Sequence, residues 1–382
     1  MSSPTASHFP HAEAARFRVL VIGGYGFFGR RLVELLARQP GLHVIVAGRS
    51  AAPAAALVAS LAGRSPASLE AVALDANSGE LPAHLARLAV DVLVLASGPF
   101  QGQDYRVALA CTAAGVHYID LADGRAFVAG IADVDVAATA AGVSVISGAS
   151  SVPGLSSAAI DSMVQGWQRV THIDIGISPG NRIERGHSTM HAVLTSCGQP
   201  IALADAAPVT GWLTSRLRRY PAPVGWRLLS PCDVPDLAVL PAHYPGRPRV
   251  RFGAGLELMS LHLGMNLMAA LARVGLVRDW SVHTAWLKRK SDWLKNWGSD
   301  EGAMHVAVRG IDAQGLRAAR TWTLVATHGD GPYTPTLAAA ALVRKLACGA
   351  PVPVGARACV SLLTLADFER EAAGLRIRWQ AA

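Results

Sequence analysis

The chain has 382 residues, of which 51% are hydrophobic and 16% charged, and its formal net charge is +8 at pH 7. This length suffices for two domains with large cores, and the composition excludes a fibrous or intrinsically disordered protein. The five cysteines are scattered without a C-x-x-C pair, which argues against a disulfide framework and a zinc site and fits a cytoplasmic location.

The positive charge does not by itself indicate nucleic-acid binding. The arginines are dispersed, and no basic run is interleaved with aromatic residues, as a nucleic-acid surface would require. We therefore expect no nucleic-acid partner, and we attribute the charge to a preference for arginine over lysine. The first lysine is Lys288, so no earlier residue can act as a lysine base or Schiff-base nucleophile.

The first elements of the chain are a strand, a glycine loop and a helix. Residues 1–16 are polar and rich in small side chains, and we expect a disordered arm there rather than a secretory signal. The β-branched run at 17–22 predicts a strand buried on both faces. Leu32, Leu35 and Leu36 recur at helical spacing before Pro40, which predicts a helix.

Between this strand and this helix the glycines form a G-x-G-x-x-G motif. In that position Gly24 permits a tight turn, Gly26 allows close approach of a pyrophosphate, and Gly29 lets the helix pack on the strand. The helix N-terminus then offers free N–H groups and its positive dipole end to the phosphates. The alternative is an ordinary βα turn that is rich in glycine. The predicted cofactor-binding residues of the loop are Gly24, Tyr25, Gly26, Phe27, Phe28 and Gly29.

Strands and helices alternate up to residue 150. Further strands are predicted at 42–47, 71–74, 90–95, 116–120 and 143–146, with helices near 53–62, 82–88 and 105–114. This alternation is typical of an α/β fold with a doubly wound parallel sheet and predicts a Rossmann domain at 17–150. The glycine loop follows the first strand, where such a sheet binds its dinucleotide.

The end of the second predicted strand bears on the choice of dinucleotide. Arg49 lies twenty positions after Gly29 and is followed by Ser50. An acidic residue at this spacing binds the ribose hydroxyls of NAD, whereas an arginine suits the 2′-phosphate of NADP. We therefore predict NADP; the alternative is that Arg49 stacks on the adenine and that the enzyme accepts both NADP and NAD. Asp75, at the end of the third strand, is also predicted to bind the cofactor.

Beyond residue 150 the pattern changes to strands with longer connections. Predicted strands are 172–177, 249–258, 304–309 and 321–326. A turn at 312–315 indicates antiparallel pairing, and we predict a second α+β domain at 151–330. The apolar stretch 256–276 is interrupted by polar residues such as Glu257 and Arg273, which argues against a transmembrane helix. We predict a buried or interface helix there, and a peripheral membrane contact is the remaining alternative.

Several stretches together resemble the saccharopine dehydrogenase-like oxidoreductases. They are GGYGFFG at 23–29, AGR at 47–49, ASGPF at 96–100, AGVHYID at 114–120 and SVPGLS at 151–156. The resemblance is specific over residues 18–157 and weaker beyond, where GPYTP at 331–335 is also similar.

This resemblance implies an NAD(P)-dependent enzyme with a Rossmann domain and a smaller substrate and dimerisation domain. It therefore implies a homodimer, and a C-terminal segment at 331–382 that packs back on the Rossmann domain. It also implies that Ser97, Gly98 and Pro99 contribute to the cofactor site.

Candidates for chemistry lie at the carboxyl ends of strands, where a doubly wound sheet binds its ligands. Tyr118 and Asp120, followed by Asp123, can relay a proton to a reduced substrate; packing of Tyr118 and helix capping by Asp120 are the alternative. In the second domain Asn181 and Arg182 are predicted to bind substrate, since Arg182 can clamp a carboxylate. A surface arginine is the simpler explanation.

The leading hypothesis is an oxidoreductase that uses NADP to transfer a hydride to or from a C=N, C=O or activated C=C bond of a small-molecule substrate. The alternative is a nucleotide-binding scaffold or sensor that has lost catalysis. His187 and His191 are four residues apart, but no third ligand is indicated and no metal is expected. Cys232 and Asp233 interrupt an apolar run, and helix capping explains them as well as catalysis does.

Overall fold

In the computed structural model, which describes residues 16–184, 186–204 and 206–381, two seven-stranded sheets organise the chain. The predicted arm lies outside the described residues except for its last residue. The strands are β1 (Phe17–Ile22), β2 (Leu42–Gly48), β3 (Ser68–Ala73), β4 (Val92–Leu95), β5 (His117–Asp120), β6 (Ser144–Ser147), β7 (Arg169–Ser178), β8 (Pro200–Leu203), β9 (Ala206–Thr210), β10 (Arg216–Arg219), β11 (Trp226–Pro231), β12 (Arg249–Ala254), β13 (Gly302–Ile311), β14 (Arg317–Ala326), β15 (Gly355–Ala358) and β16 (Ile377–Ala381).

The α-helices fall between these strands. They are α1 (Phe27–Ala37), α2 (Ala51–Leu61), α3 (Leu81–Arg87), α4 (Arg106–Ala113), α5 (Arg125–Ala129), α6 (Asp135–Ala140), α7 (Ser156–Met163), α8 (His187–Thr195), α9 (Asp236–His243), α10 (Met259–Arg273), α11 (Thr284–Ser291), α12 (Thr334–Ala347) and α13 (Leu365–Glu371).

The first sheet is parallel, in the order β15-β6-β5-β4-β1-β2-β3. Its strands progress outward in both directions from β1 and β4, which is the doubly wound arrangement. Val19 and Val21 of β1 belong to one buried cluster, whereas Leu20 and Ile22 belong to another. The sheet is therefore covered on both faces, and the predicted fold class is confirmed.

The second sheet is mixed, in the order β10-β11-β12-β7-β13-β14-β16. Strands β7 and β12 run parallel, whereas β13 pairs antiparallel with both β7 and β14. The predicted hairpin at 312–315 is present between β13 and β14. The predicted strand at 249–258 ends at Ala254, and the residues that follow it lead into α10.

The C-terminal segment contributes to both sheets. Strand β15 pairs with β6 in the first sheet, and β16 pairs with β14 in the second. Between them in the chain order, α13 packs on α12, which in turn lies against α1. Residues 331–381 thus connect the cores of the two sheets, and Leu337 and Phe368 are fully buried there.

Helix α10 occupies most of the apolar stretch 256–276. Within it His262 and Ala269 are buried, but Leu263 and Leu267 are 51% and 62% exposed. A helix is therefore present where the sequence predicted a buried or interface helix. It is buried on one side only, and its other side carries exposed leucines. Over the described part of the chain, no helix is long and apolar enough to cross a bilayer.

Candidate functional site

The glycine loop connects β1 to α1 and is held against β2. The N–H groups of Gly23 and Gly24 both donate to the carbonyl oxygen of Ala47, at 2.9 and 3.0 Å. Gly23 has φ of +78°, a conformation that glycine adopts without strain. The N–H of Gly26 donates to the carbonyl oxygen of Gly23 at 2.9 Å. The chain therefore makes a tight turn immediately before α1 begins.

Gly29 brings the first turn of α1 into contact with this loop. A Cβ at Gly29 would overlap the carbonyl oxygen of Gly23 and lie 2.9 Å from Cα of Gly24. A Cβ at Gly26 would meet only the Gly23 oxygen, at 3.0 Å. A side chain therefore fits poorly at Gly29, where the helix packs on the loop. At Gly26 only one atom is near, so this glycine leaves the backbone of the loop accessible.

The N-terminus of α1 carries no side-chain cap, and no acidic residue lies in its first turn. Its first N–H groups and its positive dipole end are therefore available to an anion. A glycine loop that leads into such a helix end fits the diphosphate of a dinucleotide.

Tyr25 extends the site to the end of β2. Its ring lies over Gly48, where an added Cβ would come 2.6 Å from Cζ of the ring. The N–H of Ser50 donates to Oη of Tyr25 at 3.1 Å. The predicted residues Arg49 and Ser50 are exposed beside this ring. They precede α2, whose N-terminus also lacks a side-chain cap and an acidic first turn.

Asp75 lies next to this region, after β3. The N–H of Leu74 donates to the carbonyl oxygen of Gly48 at 2.8 Å, which holds the end of β3 beside β2. The Asp75 carboxylate is exposed and accepts the N–H of Asn77 at 3.0 Å. The structure thus brings Arg49, Ser50 and Asp75 together at the carboxyl ends of β2 and β3.

On the other side of the glycine loop lies the segment after β4. A Cβ at Gly23 would approach Ser97 Cβ at 3.0 Å, so Ser97 abuts the loop. From the second domain, Ser188 Cβ lies 3.5 Å from where a Cβ of Gly98 would be. Gly186, which precedes α8, is likewise close to Phe27. Helix α8 therefore begins directly over the glycine loop, and its N-terminus also lacks a side-chain cap.

Asp120 lies in the protein interior at the end of β5, below the glycine loop's end of the sheet. Its side chain is fully buried, and Oδ1 accepts hydrogen bonds from Gly148 N–H at 2.7 Å, Ala122 N–H at 2.9 Å and Ser147 Oγ at 3.0 Å. Burial raises the pKa of Asp120 to about 6, while these hydrogen bonds oppose the rise. The carboxylate thus joins the end of β5 to the end of β6. Whether it also transfers a proton stays a prediction.

Tyr118 shares the face of β5 that carries Asp120. It is 1% exposed within the hydrophobic cluster on that face, and burial raises its pKa well above the ordinary value. This position favours packing, the alternative given from the sequence, over contact with a substrate.

Asp123 lies closer to the second domain. It is half-buried, and Nε2 of Gln101 donates to its Oδ1 at 3.3 Å. Burial raises the pKa of Asp123, and the hydrogen bond from Gln101 opposes that rise. Oε1 of Gln101 is buried without a hydrogen-bond partner among the described groups. Within this carboxylate–amide pair, Oε1 of Gln101 can therefore accept a hydrogen bond from an incoming ligand.

Arg125 connects this region to the second domain. Its Nη1 donates to the carbonyl oxygen of Ala202 at 2.7 Å and to Asp233 Oδ1 at 3.2 Å. Burial raises the pKa of Cys232, the residue before Asp233, to about 11, and a hydrogen bond with Ser196 opposes the rise. Cys232 is therefore a buried thiol next to the carboxylate that pairs with Arg125. Sequence reasoning missed Gln101 and Ser188. Gln101 meets Asp123 only because β4 and β5 are neighbours in the sheet, and Ser188 reaches the site only because the two domains pack together.

The predicted substrate residues lie in the loop after β7. Nδ2 of Asn181 donates to the carbonyl oxygens of Leu294 and Trp297, at 2.6 and 3.0 Å, and Glu257 Oε2 accepts its N–H at 2.7 Å. Asn181 is 2% exposed and holds these loops together. Arg182 is exposed, and its role in substrate binding stays a prediction.

Within the described residues no group of three His, Cys, Asp or Glu side chains could hold a metal ion. The side chain of His187 lies outside that description. His191 is on α8, half-buried, one turn further along the helix.

Residues 19–146 match the family model for the saccharopine dehydrogenase NADP binding domain. The first domain is thus a saccharopine dehydrogenase NADP binding domain. The matched range runs from within β1 to within β6 and contains the glycine loop. The resemblance noted in the sequence is therefore confirmed, and the family is one of NAD(P)-dependent oxidoreductases.

The whole chain shares its fold with a saccharopine dehydrogenase-like protein of known structure. The apo histidine-tagged saccharopine dehydrogenase (L-Glu forming) from Saccharomyces cerevisiae is similar with a TM-score of 0.65 at 14% identity, over 96% of this chain and 100% of that one. An amine dehydrogenase from Mycobacterium smegmatis has a TM-score of 0.45 at 11% identity, over 93% of this chain and 97% of that one, which is too low to support an argument. No curated protein sequence matches this one significantly.

Proposed function

We propose that this protein is an NADP-dependent oxidoreductase that transfers a hydride to or from a C=N, C=O or activated C=C bond of a small substrate. The observation that carries the proposal is the glycine loop: its backbone is tied to β2, Gly29 touches the turn, and α1 begins without a side-chain cap. A bound nicotinamide would supply or accept the hydride. The residues of this chain would bind the dinucleotide, orient the substrate beside it and exchange a proton with the substrate.

The preference for NADP rests on the end of β2. Arg49 and Ser50 are exposed there, and the N-terminus of α2 follows directly with no acidic residue in its first turn. A guanidinium, a hydroxyl and a helix N-terminus together favour a 2′-phosphate. The ring of Tyr25, hydrogen-bonded to Ser50, holds this segment in place.

Asp123 is the residue that we propose as proton donor and acceptor. Partial burial raises the pKa of its carboxyl group. The residue is still accessible to a ligand, because it is only half-buried where it follows β5. A carboxyl group with a raised pKa is suited to acid–base chemistry near neutral pH. Gln101 would orient it, and Asp120 would hold the ends of β5 and β6 in register beneath it.

Calorimetric titration with NADPH and NADH tests the cofactor part of the proposal. We expect NADPH to bind more tightly, and Arg49→Ala to weaken NADPH binding by roughly 10- to 100-fold while leaving NADH binding nearly unchanged. Arg64→Ala is the matched control, because Arg64 is an exposed arginine after the other end of α2. Equal binding of both nucleotides by the wild-type protein would refute the NADP preference.

The catalytic part needs a substrate screen that follows NADPH oxidation with carbonyl, imine and enoyl compounds. With any substrate found, Asp123→Asn should lower turnover by about 10²- to 10⁴-fold and leave NADPH affinity unchanged. Full turnover by Asp123→Asn would show that another group supplies the proton.

A further inference from the structure

The stretch 259–297 is unusually rich in exposed apolar side chains. Of the fifteen large apolar side chains that are strongly exposed among the described residues, nine lie in this stretch. Soluble monomers rarely expose apolar side chains in such concentration. We call this stretch the 259–297 surface.

Helix α10 supplies the first part of this surface. Met259, Leu263 and Leu267 are 61%, 51% and 62% exposed, and because they are four residues apart they lie on one face of the helix. The opposite face packs on the segment after α8, where a Cβ at Gly198 would meet Ala269 and Ala272. Gly264 has open space around its Cβ position. The apolar face of α10 is therefore uncovered in the described part of the molecule.

Three tryptophans supply the second part. Trp286, Trp293 and Trp297 are 54%, 72% and 65% exposed. The ammonium of Lys290 lies 4.2 Å from the ring centroid of Trp293 and 5.9 Å from that of Trp286. Tryptophan rings beside lysine ammonium groups are typical of side chains that sit at a membrane–water interface.

The charge of the 259–297 surface is positive. Its exposed cations are Arg273, Arg278, Arg289, Lys290 and Lys295. Three of the four lysines of the chain lie in it.

Residues 259–297 contain only two carboxylates, Asp279 and Asp292, against six arginines and lysines. Asp292 pairs with Lys288 at 3.0 Å, and Asp279 accepts the N–H and hydroxyl of Ser281. Among the described residues no ion pair involves the five exposed cations, and exposed apolar side chains together with such cations complement an anionic surface.

We propose that the 259–297 surface binds the protein peripherally to anionic lipid bilayers. The apolar face of α10 and the tryptophans would enter the interfacial region, and the cations would contact lipid phosphates. A second copy of the chain fits this surface less well, because a two-fold contact would place cations against cations. The proposal is independent of the oxidoreductase function.

Co-flotation of the full-length protein with vesicles tests the proposal. The vesicles are phosphatidylcholine alone, or an equimolar mixture of phosphatidylcholine and phosphatidylglycerol, at low and high salt. We expect binding to the mixed vesicles, weakened by salt, and little binding to phosphatidylcholine alone. Leu263→Ser combined with Leu267→Ser should lower the partition coefficient at least about tenfold. Lys290→Gln combined with Lys295→Gln should lower it about fivefold for each charge removed.

Matched control variants distinguish the loss of this surface from a general loss of exposed leucines or of positive charge. Leu217→Ser with Leu316→Ser removes two equally exposed leucines elsewhere, on β10 and in the β13–β14 turn, and should bind vesicles as the wild type does. Arg64→Gln with Arg87→Gln removes the same net charge from α2 and α3 regions, and should change binding much less. Thermal unfolding of every variant checks that it is folded.

Three results would overturn the proposal. The first is failure of the wild-type protein to bind the mixed vesicles, and the second is equal binding by the surface variants and their controls. The third is a wild-type dimer in light scattering that Leu263→Ser with Leu267→Ser converts to monomer without any effect on vesicle binding, which would assign the surface to a second copy.

Discussion

The ring of Tyr25 occupies the space in which a side chain at Gly48 would lie, and its hydroxyl accepts the N–H of Ser50 at 3.1 Å. The glycine loop after β1 and the proposed phosphate-recognising segment after β2 are thus connected through one side chain. This relationship explains why a glycine precedes Arg49, and it makes the position of Arg49 depend on Tyr25.

Gly48→Ala should displace the Tyr25 ring without unfolding the protein. The ring can rotate away, so we expect a loss of less than about 1 kcal/mol in the free energy of unfolding. The Tyr25–Ser50 hydrogen bond should be lost, and NADPH affinity should fall by roughly three- to tenfold. Calorimetry and thermal unfolding measure the two effects. Gly79→Ala is the control, because a Cβ there would meet nothing within 4 Å; equal affinities for the two variants would argue against the role of Tyr25.

Gly29→Ala and Gly26→Ala should separate stability from binding. At Gly29 the new Cβ would overlap the backbone oxygen of Gly23, so α1 must shift, at a cost of about 1–3 kcal/mol in stability. At Gly26 only one atom is close, at 3.0 Å, and we expect near-normal stability but weak NADPH binding if a pyrophosphate approaches that backbone. Chemical denaturation and calorimetry test both. Unchanged NADPH affinity of Gly26→Ala would place the diphosphate elsewhere.

Asp120→Ala should destabilise the protein much more than Asp120→Asn. Oδ1 of Asp120 accepts from three donors, and alanine would leave all three buried without an acceptor, at about 1–3 kcal/mol each. Asparagine keeps one acceptor oxygen and should cost less. Chemical denaturation compares the two variants. If Asp120→Asn is stable and binds NADPH but loses turnover, the sequence-based prediction of a catalytic Asp120 is supported over a purely structural role.

Asp236 should make the protein less stable at alkaline pH. Its carboxyl group is fully buried at the start of α9, where Oδ1 accepts the hydroxyl of Ser156 at 2.5 Å, and burial raises its pKa from 3.8 to about 7. A raised pKa in the native state means that the native protein holds the proton more tightly. The stabilisation by that proton is complete below pH 3.8 and is lost as the pH rises through 7.

Asp236→Asn should therefore flatten the pH dependence of stability. Between pH 5 and pH 8 the wild-type protein should lose up to about 2–3 kcal/mol through this group, and the variant should not lose this amount. Asp120, whose pKa is raised to about 6, adds a smaller change of the same sign to both proteins. Denaturant unfolding at several pH values is the measurement, with Asp133→Asn at an exposed position as control. Parallel pH profiles of wild type and Asp236→Asn would contradict the assignment.

Local patterns in the chain were sufficient to predict six of the seven strands of the first sheet. The β-branched runs, the leucines of α1 and the glycine spacing act over a few residues, and each favours the same structure in its own segment. Strands β10, β11, β15 and β16 were not predicted. They are only four to six residues long, and β15 is stabilised by pairing with β6, about 200 residues earlier in the chain. Such short strands lack a periodic signal of their own.

The sequence by itself determined the glycine turn before α1, because such a turn is a local property of the backbone, and from that turn it predicted where a dinucleotide binds. Only the tertiary structure decided which polar groups share the site. Gln101 meets Asp123 because β4 and β5 are neighbours, and Ser188 reaches Gly98 because α8 folds over the first domain. The tertiary structure also decided that Tyr118 is buried and that Leu263 and Leu267 are exposed. These outcomes depend on which surfaces pack together over long range, and no local pattern in the chain encodes that choice.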